Sequence, residues 1–251
     1  MALIRGSVRG ISFDYGHVLG GIDLAELQRR IEAHQCGVNA VFLQGSMAQA
    51  YRAHDAAIAR GEGHEAGWRA LMGHMVAAGA ELSDSVQIAS IVQALWAAQP
   101  ERNLWRFVPD GARQLLQDLA ERGVPMVITS NSEGRVAELL AEVGISSYFS
   151  QILDSGRLGF GKPDARIFAL AAAHLVLPID AVVHVGDSEA ADIEGAINAG
   201  AHAIRFDGFL PFADAQSSAD AVAFSYAELR SLLFEALDLD PCITHEPLRE
   251  P

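Results

Sequence analysis

The spacing of apolar residues divides the chain into two kinds of segment. Between residues 22 and 98, apolar side chains recur at helical spacing, and no stretch there is typical of a strand. Breaks near residues 36–39, 60–63 and 79–84 predict about four helices in this block. Ser83, with Gln87 just beyond it, has the pattern of an N-cap for the last of them.

From residue 100 onward, short apolar runs alternate with helical patterns. The predicted strands lie in "VPMVITS", "YFSQIL", "AVVHVG" and "AHAIRF", and a further strand is predicted at Ile11–Phe13. Alternating strands and helices predict an α/β fold, a parallel sheet flanked by helices. The domain prediction is therefore an α/β core over 1–20 and 100–238, an inserted all-helical domain over 21–99 and a loose tail over 239–251.

The composition argues against some classes of binding partner and predicts a cellular location. The formal net charge of −14 argues against binding to nucleic acid or to anionic membranes. No apolar run approaches the roughly 20 residues of a membrane span. The two cysteines, Cys36 and Cys242, match no metal or redox spacing. Together with the lack of a recognisable signal peptide, they predict a cytoplasmic location.

The candidate chemistry follows the predicted strands, because ligands of open parallel sheets bind beyond the carboxyl ends of the strands. The polar residues at these strand ends, with the loop lysine of "GFGKPD", are Asp14, Ser130, Asn131, Lys162, Asp187 and Asp192. Lys162 stands out because it is the only lysine beside 17 arginines. Clustered carboxylates repel one another unless a cation lies among them, and oxygen ligands of this kind suit Mg²⁺.

Four segments in this order resemble the motifs of the haloacid dehalogenase (HAD) superfamily, whose members are mostly phosphatases. They are "ISFDYGHVL", "VITSN", "GKPDARIF" and "VVHVGDSEAADIEGAINAG", and the resemblance spans residues 9–237. It implies a Rossmann-like core, and the helical insertion between the first and second motifs resembles a C1 cap. The second and third motifs are too close together to accommodate a C2 cap.

The resemblance also implies a mechanism and a set of site residues. It implies that Asp14 is a nucleophile that forms an aspartyl phosphate, that Ser130 with Asn131 holds a phosphate oxygen, and that Lys162 balances charge. For the cofactor Mg²⁺, the implied ligands are Asp14, the main-chain carbonyl of Gly16, Asp187 and Asp192.

One position departs from the family pattern. Most phosphatases of this superfamily have a second Asp two residues after the nucleophile, which acts as general acid and base, and this chain has Gly16 there. Three interpretations follow. The substrates have good leaving groups, another residue replaces the missing Asp, or catalysis is weak or absent. A phosphatase subgroup with the motif FD-x-G-N-V also resembles this segment. His17, where the family usually has Gly or Asn, is expected to have an orientational or structural role more than an acid role.

The leading hypothesis is a Mg²⁺-dependent phosphatase for a small phosphorylated metabolite, acting as a monomer or homodimer. A 2-haloacid dehalogenase is the first alternative, although "FDYGHV" and "GDSEAAD" differ from that branch. A phosphomutase normally relies on the missing Asp, and a phosphonatase would need a cap lysine that this chain lacks. The remaining alternative is a binding or regulatory protein that keeps the fold and the metal site.

Overall fold

The computed structural model describes residues 5–209 and 216–240 of the chain. Residues up to Leu19 and from Pro109 onward form one compact unit, and Gly20–Val108 form another. The second boundary thus lies at 108/109, whereas the sequence placed it at 99/100. Backbone pairing between Gly21 and Phe107 explains the shift, because the chain after the last helix returns to the start of the helical unit.

The helical unit contains five helices where the sequence predicted about four. They are α1 (Leu24–Glu32), α2 (Ala40–Gly45), α3 (Met47–Ala59), α4 (His64–Gly79) and α5 (Ser85–Ala98). The extra break falls at Ser46, which ends α2 and precedes α3. The prediction of Ser83 as a cap was wrong: the side chain of Asp84 accepts the Val86 amide at 2.9 Å and caps α5.

The other unit is built on a six-stranded parallel sheet. Its strands are β1 (Gly10–Phe13), β2 (Met126–Ser130), β3 (Gln151–Asp154), β4 (Val182–Gly186), β5 (His202–Phe206) and β6 (Ala221–Ala223). The strand order is β3-β2-β1-β4-β5-β6, and every adjacent pair is parallel. The predicted α/β class is confirmed. The sequence missed β6, a three-residue edge strand too short to show a periodic pattern.

Within the described residues, six α-helices accompany this sheet. They are α6 (Asp110–Glu121), α7 (Val136–Glu142), α8 (Ser155–Leu158), α9 (Ala165–Leu175), α10 (Glu194–Ala199) and α11 (Tyr226–Ala236). A single π-helical turn, Glu189–Ile193, leads into α10. The strands β1, β2, β4 and β5 are buried along their whole length, as parallel strands covered on both faces are.

The remaining sequence expectations concern the chain's ends and membranes. Most of the predicted loose tail, from residue 241, lies outside the described residues. Within the described part of the chain, no helix combines the length and apolar character that crossing a membrane requires.

Candidate active site

Asp14 lies at the centre of the sheet, directly after β1. Its main-chain amide donates to the Val185 carbonyl of β4 at 2.8 Å, so the pairing continues to the end of the strand. The strand order reverses here, because β2 lies on one side of β1 and β4 on the other. This reversal is the point at which α/β sheets of this order form a ligand crevice.

The ammonium group of Lys162 joins two carboxylates at this point. Its Nζ lies 2.9 Å from Asp14 Oδ1 and 2.5 Å from Asp192 Oδ1, and the lysine side chain is only 2% exposed. Burial alone would lower the pKa of Lys162, but the two carboxylates raise it above its ordinary value. Burial raises the pKa of Asp192, but the cationic lysine still holds that pKa well below the usual range. Lys162 and Asp192 therefore form a buried ion pair.

Asp14 has a different electrostatic environment from Asp192. Burial raises the pKa of Asp14 to about 6, and the negative charges of Asp192 and Asp187 act in the same direction, while Lys162 opposes them. In the protein without a cation, the ionised form of Asp14 is thus disfavoured. A site that disfavours its own charged carboxylate gains stability when a cation enters it.

The Asn131 side chain is bound to the main chain of Lys162. Its Nδ2 donates to the Lys162 carbonyl, and its Oδ1 accepts from the Lys162 amide, both at 2.9 Å. This paired contact fixes the loop that carries the lysine. The motif resemblance predicted Asn131 among the phosphate-binding residues, and in the structure its side-chain amide holds Lys162 in place.

A chain of buried hydrogen bonds runs from Asp192 into the sheet. Asp192 Oδ1 lies 3.0 Å from His184 Nε2, His184 Nδ1 lies 3.0 Å from Ser12 Oγ, and Ser12 Oγ lies 2.8 Å from Thr129 Oγ1. An ionised carboxylate only accepts, so His184 Nε2 carries the proton. Burial lowers the pKa of His184, so the ring is neutral and its Nδ1 accepts from Ser12. Thr129 then donates to Ser12.

This chain was not predicted from the sequence. His184, Ser12 and Thr129 sit in three neighbouring strands and are almost fully buried. Polar residues inside the otherwise apolar segments "ISF", "VITS" and "VVHVG" are the signal that could have indicated it. Buried polar groups require partners, so three such residues on adjacent strands predict one another.

Three carboxylates in the site could hold a metal ion. One oxygen each from Asp14, Asp187 and Asp192 lies within 4.8 Å of the other two. Hard carboxylate oxygens without thiolate or imidazole ligands suit Mg²⁺. The raised pKa of Asp14 agrees with this: burial is its main cause, and the negative charges of Asp192 and Asp187 add to it, so a cation bound here would favour the ionised carboxylate. The residues present therefore fit Mg²⁺, the cation predicted from the sequence.

The positions of the last two predicted site residues, Ser130 and Gly16, follow from the course of the backbone. Ser130 is the buried final residue of β2, the strand beside β1, so it lies at the same edge of the sheet as Asp14. Gly16 lies two residues after Asp14, is half-buried and contributes no side chain. It is not among the described glycines with positive φ, so its conformation does not require glycine.

A second polar cluster, also missed in the sequence, lies next to Asp187. Glu189 accepts from Ser217 Oγ and from the Ser218 amide, each at 2.7 Å, and Arg205 Nη1 lies 3.4 Å from it. These contacts tie the loop after β4 to the segment before β6. The loop that carries Asp187 is thereby fixed on its far side.

Comparisons with known proteins place this chain in a class of α/β hydrolases. Residues 21–200 match the family described as haloacid dehalogenase-like hydrolase, and the match begins after Asp14 and Gly16. The "Haloacid dehalogenase-like hydrolase domain-containing protein 3" of Bos taurus is 30% identical over 188 residues, which are 73% of this chain and 74% of that protein. The chain belongs to the haloacid dehalogenase-like hydrolase family.

Two further proteins illustrate the range of similarity. The "Ribulose-1,5-bisphosphate 5-phosphatase" of Halopiger xanaduensis is 35% identical over 131 residues, covering 52% of this chain and 53% of that enzyme, so the chain spans about half of its length. The HAD-hydrolase YfnB of Bacillus subtilis, solved with bound magnesium, has a TM-score of 0.69 and 17% identity, and the match covers 92% of this chain and 99% of that one. The second similarity concerns the fold alone.

The electrostatics of Asp14 predict that Asp14→Asn stabilises the protein in the absence of metal. Because the pKa of Asp14 in the folded chain is about 6, above its ordinary 3.8, the folded state binds this proton more tightly than the unfolded state. Wild-type stability is therefore lost as pH rises from about 4 to 6. Asn carries no charge, so the variant should be more stable at pH 8 by an amount on the order of 2 kcal/mol and equal near pH 4. Urea unfolding in EDTA measures this difference.

Asp164→Asn is the control, because the pKa of Asp164 is shifted in the opposite direction from that of Asp14. Asp164 caps α9, and its hydrogen bond to Arg166 lowers its pKa to about 2, so its contribution is present above about pH 4 and its replacement should not stabilise the protein. A wild type more stable than Asp14→Asn at pH 8 in EDTA would contradict the assignment of Asp14 as an electrostatically disfavoured carboxylate.

Proposed function

We propose that this chain is a Mg²⁺-dependent phosphatase that hydrolyses a small organic phosphate through an aspartyl phosphate on Asp14. The observation that supports this most is the position of Asp14. Its carboxylate lies within 2.9 Å of the buried Lys162 ammonium and next to two further carboxylates, at the reversal point of the sheet. A nucleophile, a fixed cation and a set of oxygen ligands are thus adjacent, as phosphoryl transfer requires.

The relatives support phosphate esters as the substrate class. Among the similar proteins are a "Phosphoserine phosphatase" of Thermus thermophilus and the ribulose bisphosphate phosphatase described above, and their names concern small phosphorylated molecules. The net charge of −14 would repel an anionic substrate at long range. Lys162 and a bound cation would supply the local positive charge that such a substrate needs.

In the proposed reaction, an oxygen of Asp14 attacks phosphorus, and the bond between phosphorus and the leaving-group oxygen breaks. Water then attacks phosphorus in the acyl phosphate and releases inorganic phosphate, which regenerates the carboxylate. Lys162 stabilises the negative charge of the phosphoryl oxygens, and Asn131 keeps the lysine loop in place. Ser130, at the end of β2, is the proposed donor to a phosphoryl oxygen.

The proposed cation ligands are Asp14, Asp187 and the main-chain carbonyl of Gly16, with Asp192 direct or through water. When bound, Mg²⁺ neutralises charge on the phosphoryl oxygens. Both oxygens of Asp192 already accept hydrogen bonds, from His184 at Oδ1 and from the Ser188 amide at Oδ2, and Oδ1 also pairs with Lys162. These contacts favour a water-mediated role for Asp192.

Gly16 limits the substrates that this site would process well. A side-chain acid at this position would protonate the departing oxygen, and general acid catalysis contributes about 10²–10⁴-fold. Without it, substrates whose leaving groups are stable as anions are favoured, such as anomeric or acyl phosphates. This is the preference that we propose for the natural substrate.

A 2-haloacid dehalogenase would use the same nucleophile but would have no need of a carboxylate cluster. Asp187 and Asp192 together with Asp14 raise the electrostatic cost of the site without a cation. In a metal-dependent phosphatase, the bound cation offsets that electrostatic cost. The carboxylate cluster therefore favours the phosphatase over the dehalogenase.

The proposal predicts metal dependence. Excess EDTA should abolish hydrolysis of an aryl phosphate and lower the melting temperature, and Mg²⁺ should restore both because it binds only the folded state. Asp187→Asn should show little Mg²⁺-induced stabilisation, since one cation ligand is lost. Undiminished turnover in excess EDTA would contradict the proposal and favour the dehalogenase.

The proposal also predicts a steep dependence of rate on leaving-group pKa. A plot of log kcat/KM against leaving-group pKa for aryl and alkyl phosphates should fall steeply, because no acid at position 16 assists the departing oxygen. Gly16→Asp should raise the rate for alkyl phosphates about tenfold or more and leave aryl phosphates nearly unchanged. A flat wild-type line would mean that another group supplies the proton.

A further inference from the structure

The backbone of His17 is in a left-handed conformation that few non-glycine residues adopt, although histidine is enriched among those that do. Its φ is +55°, in the left-handed region. Glycine adopts this region without a steric cost, whereas a residue with a Cβ atom incurs one, which is smallest for Asn, Asp and His. A histidine here still carries a backbone cost that glycine would avoid.

The imidazole ring of His17 contacts the candidate metal ligand Asp187. Nδ1 lies 3.0 Å from Asp187 Oδ2, and the two side chains are 14% and 24% exposed. The ring also packs edge-to-face against Phe209, with 6.2 Å between ring centroids. The imidazole is therefore held in one orientation by a polar contact and an aromatic contact.

We propose that His17 is a positioning residue that orients Asp187 for the divalent cation. The inference rests on the proposed function, because it assigns His17 to the metal site of that reaction. Nδ1–H donates to Oδ2 and restricts rotation of the carboxylate, so less conformational freedom is lost when Asp187 binds the cation. Glu189, two residues after Asp187, is fixed by Ser217 and Ser218, so the loop is held from both sides.

The opposing interpretation is that the contact only ties the loop after β1 to the loop after β4. The two interpretations differ in what a matched pair of substitutions does. His17→Asn and His17→Gly both remove the ring and both tolerate a positive φ. Asn keeps a short N–H donor close to the position of Nδ1, and Gly keeps none. Metal affinity should separate these variants if the donor matters.

The experiment is calorimetric titration of Mg²⁺ into the substrate-free protein, for the wild type and both variants. We expect a 10- to 100-fold weaker Kd in His17→Gly, the usual effect of losing a partner that orients a metal ligand, and a Kd within a few-fold of wild type in His17→Asn. The free energy of unfolding in EDTA, measured in parallel, should not follow this order, because glycine relieves the backbone cost.

Equal Mg²⁺ affinity in all three proteins would overturn the inference and leave the proposed metal site intact. Failure of the wild type to bind Mg²⁺ would instead overturn the proposed metal site, and the role of His17 with it. A measurement on the wild type alone guards against a variant that fails to fold. Nitrogen NMR of the Mg²⁺-loaded protein should show His17 protonated at Nδ1, and a proton on Nε2 alone would also overturn the inference.

Discussion

The site depends on the buried ammonium group of Lys162 between Asp14 and Asp192. Its contacts of 2.9 and 2.5 Å compensate carboxylates that would otherwise repel one another at the edge of the sheet. Removing one member of a buried ion pair typically costs about 3–5 kcal/mol, because the remaining charge is left without compensation. The chain has no second lysine, and a wide planar guanidinium would not fit the same contacts.

Much of the surrounding structure holds this ion pair in place. Asn131 binds both main-chain polar groups of Lys162. It can approach this closely because the residue before the lysine is Gly161. A Cβ atom on Gly161 would lie 2.3 Å from Asn131 Oδ1. On the other side, Gly186 lets Asp192 approach the end of β4, since a Cβ there would also lie 2.3 Å from the Asp192 side chain. Gly161 and Gly186 are thus steric requirements of the ion pair.

The sequence was sufficient to predict the fold class and the residues that converge on the site. Strand and helix periodicity is local, and the carboxyl ends of parallel strands meet at one edge, so Asp14, Asp187 and Lys162 could be expected to lie together. Their partners could not be predicted in the same way. The bonds of Ser12 to Thr129 and His184 join residues 117 and 172 positions apart, and no local pattern specifies such pairs. The strand β6 was missed because its three residues are too few to show a periodic pattern, and the Asp84 cap was missed because it depends on one hydrogen bond.

The central claim is that Asp14 is the nucleophile, and chemical trapping tests it most directly. Borohydride reduces an acyl phosphate to an alcohol, so an aspartyl phosphate at position 14 would be converted to homoserine. Protein quenched with borohydride during turnover of an aryl phosphate should contain homoserine at position 14, identified by peptide mass spectrometry, and protein without substrate should contain none. Continued phosphate release with an unmodified Asp14, or homoserine at another position, would contradict this account.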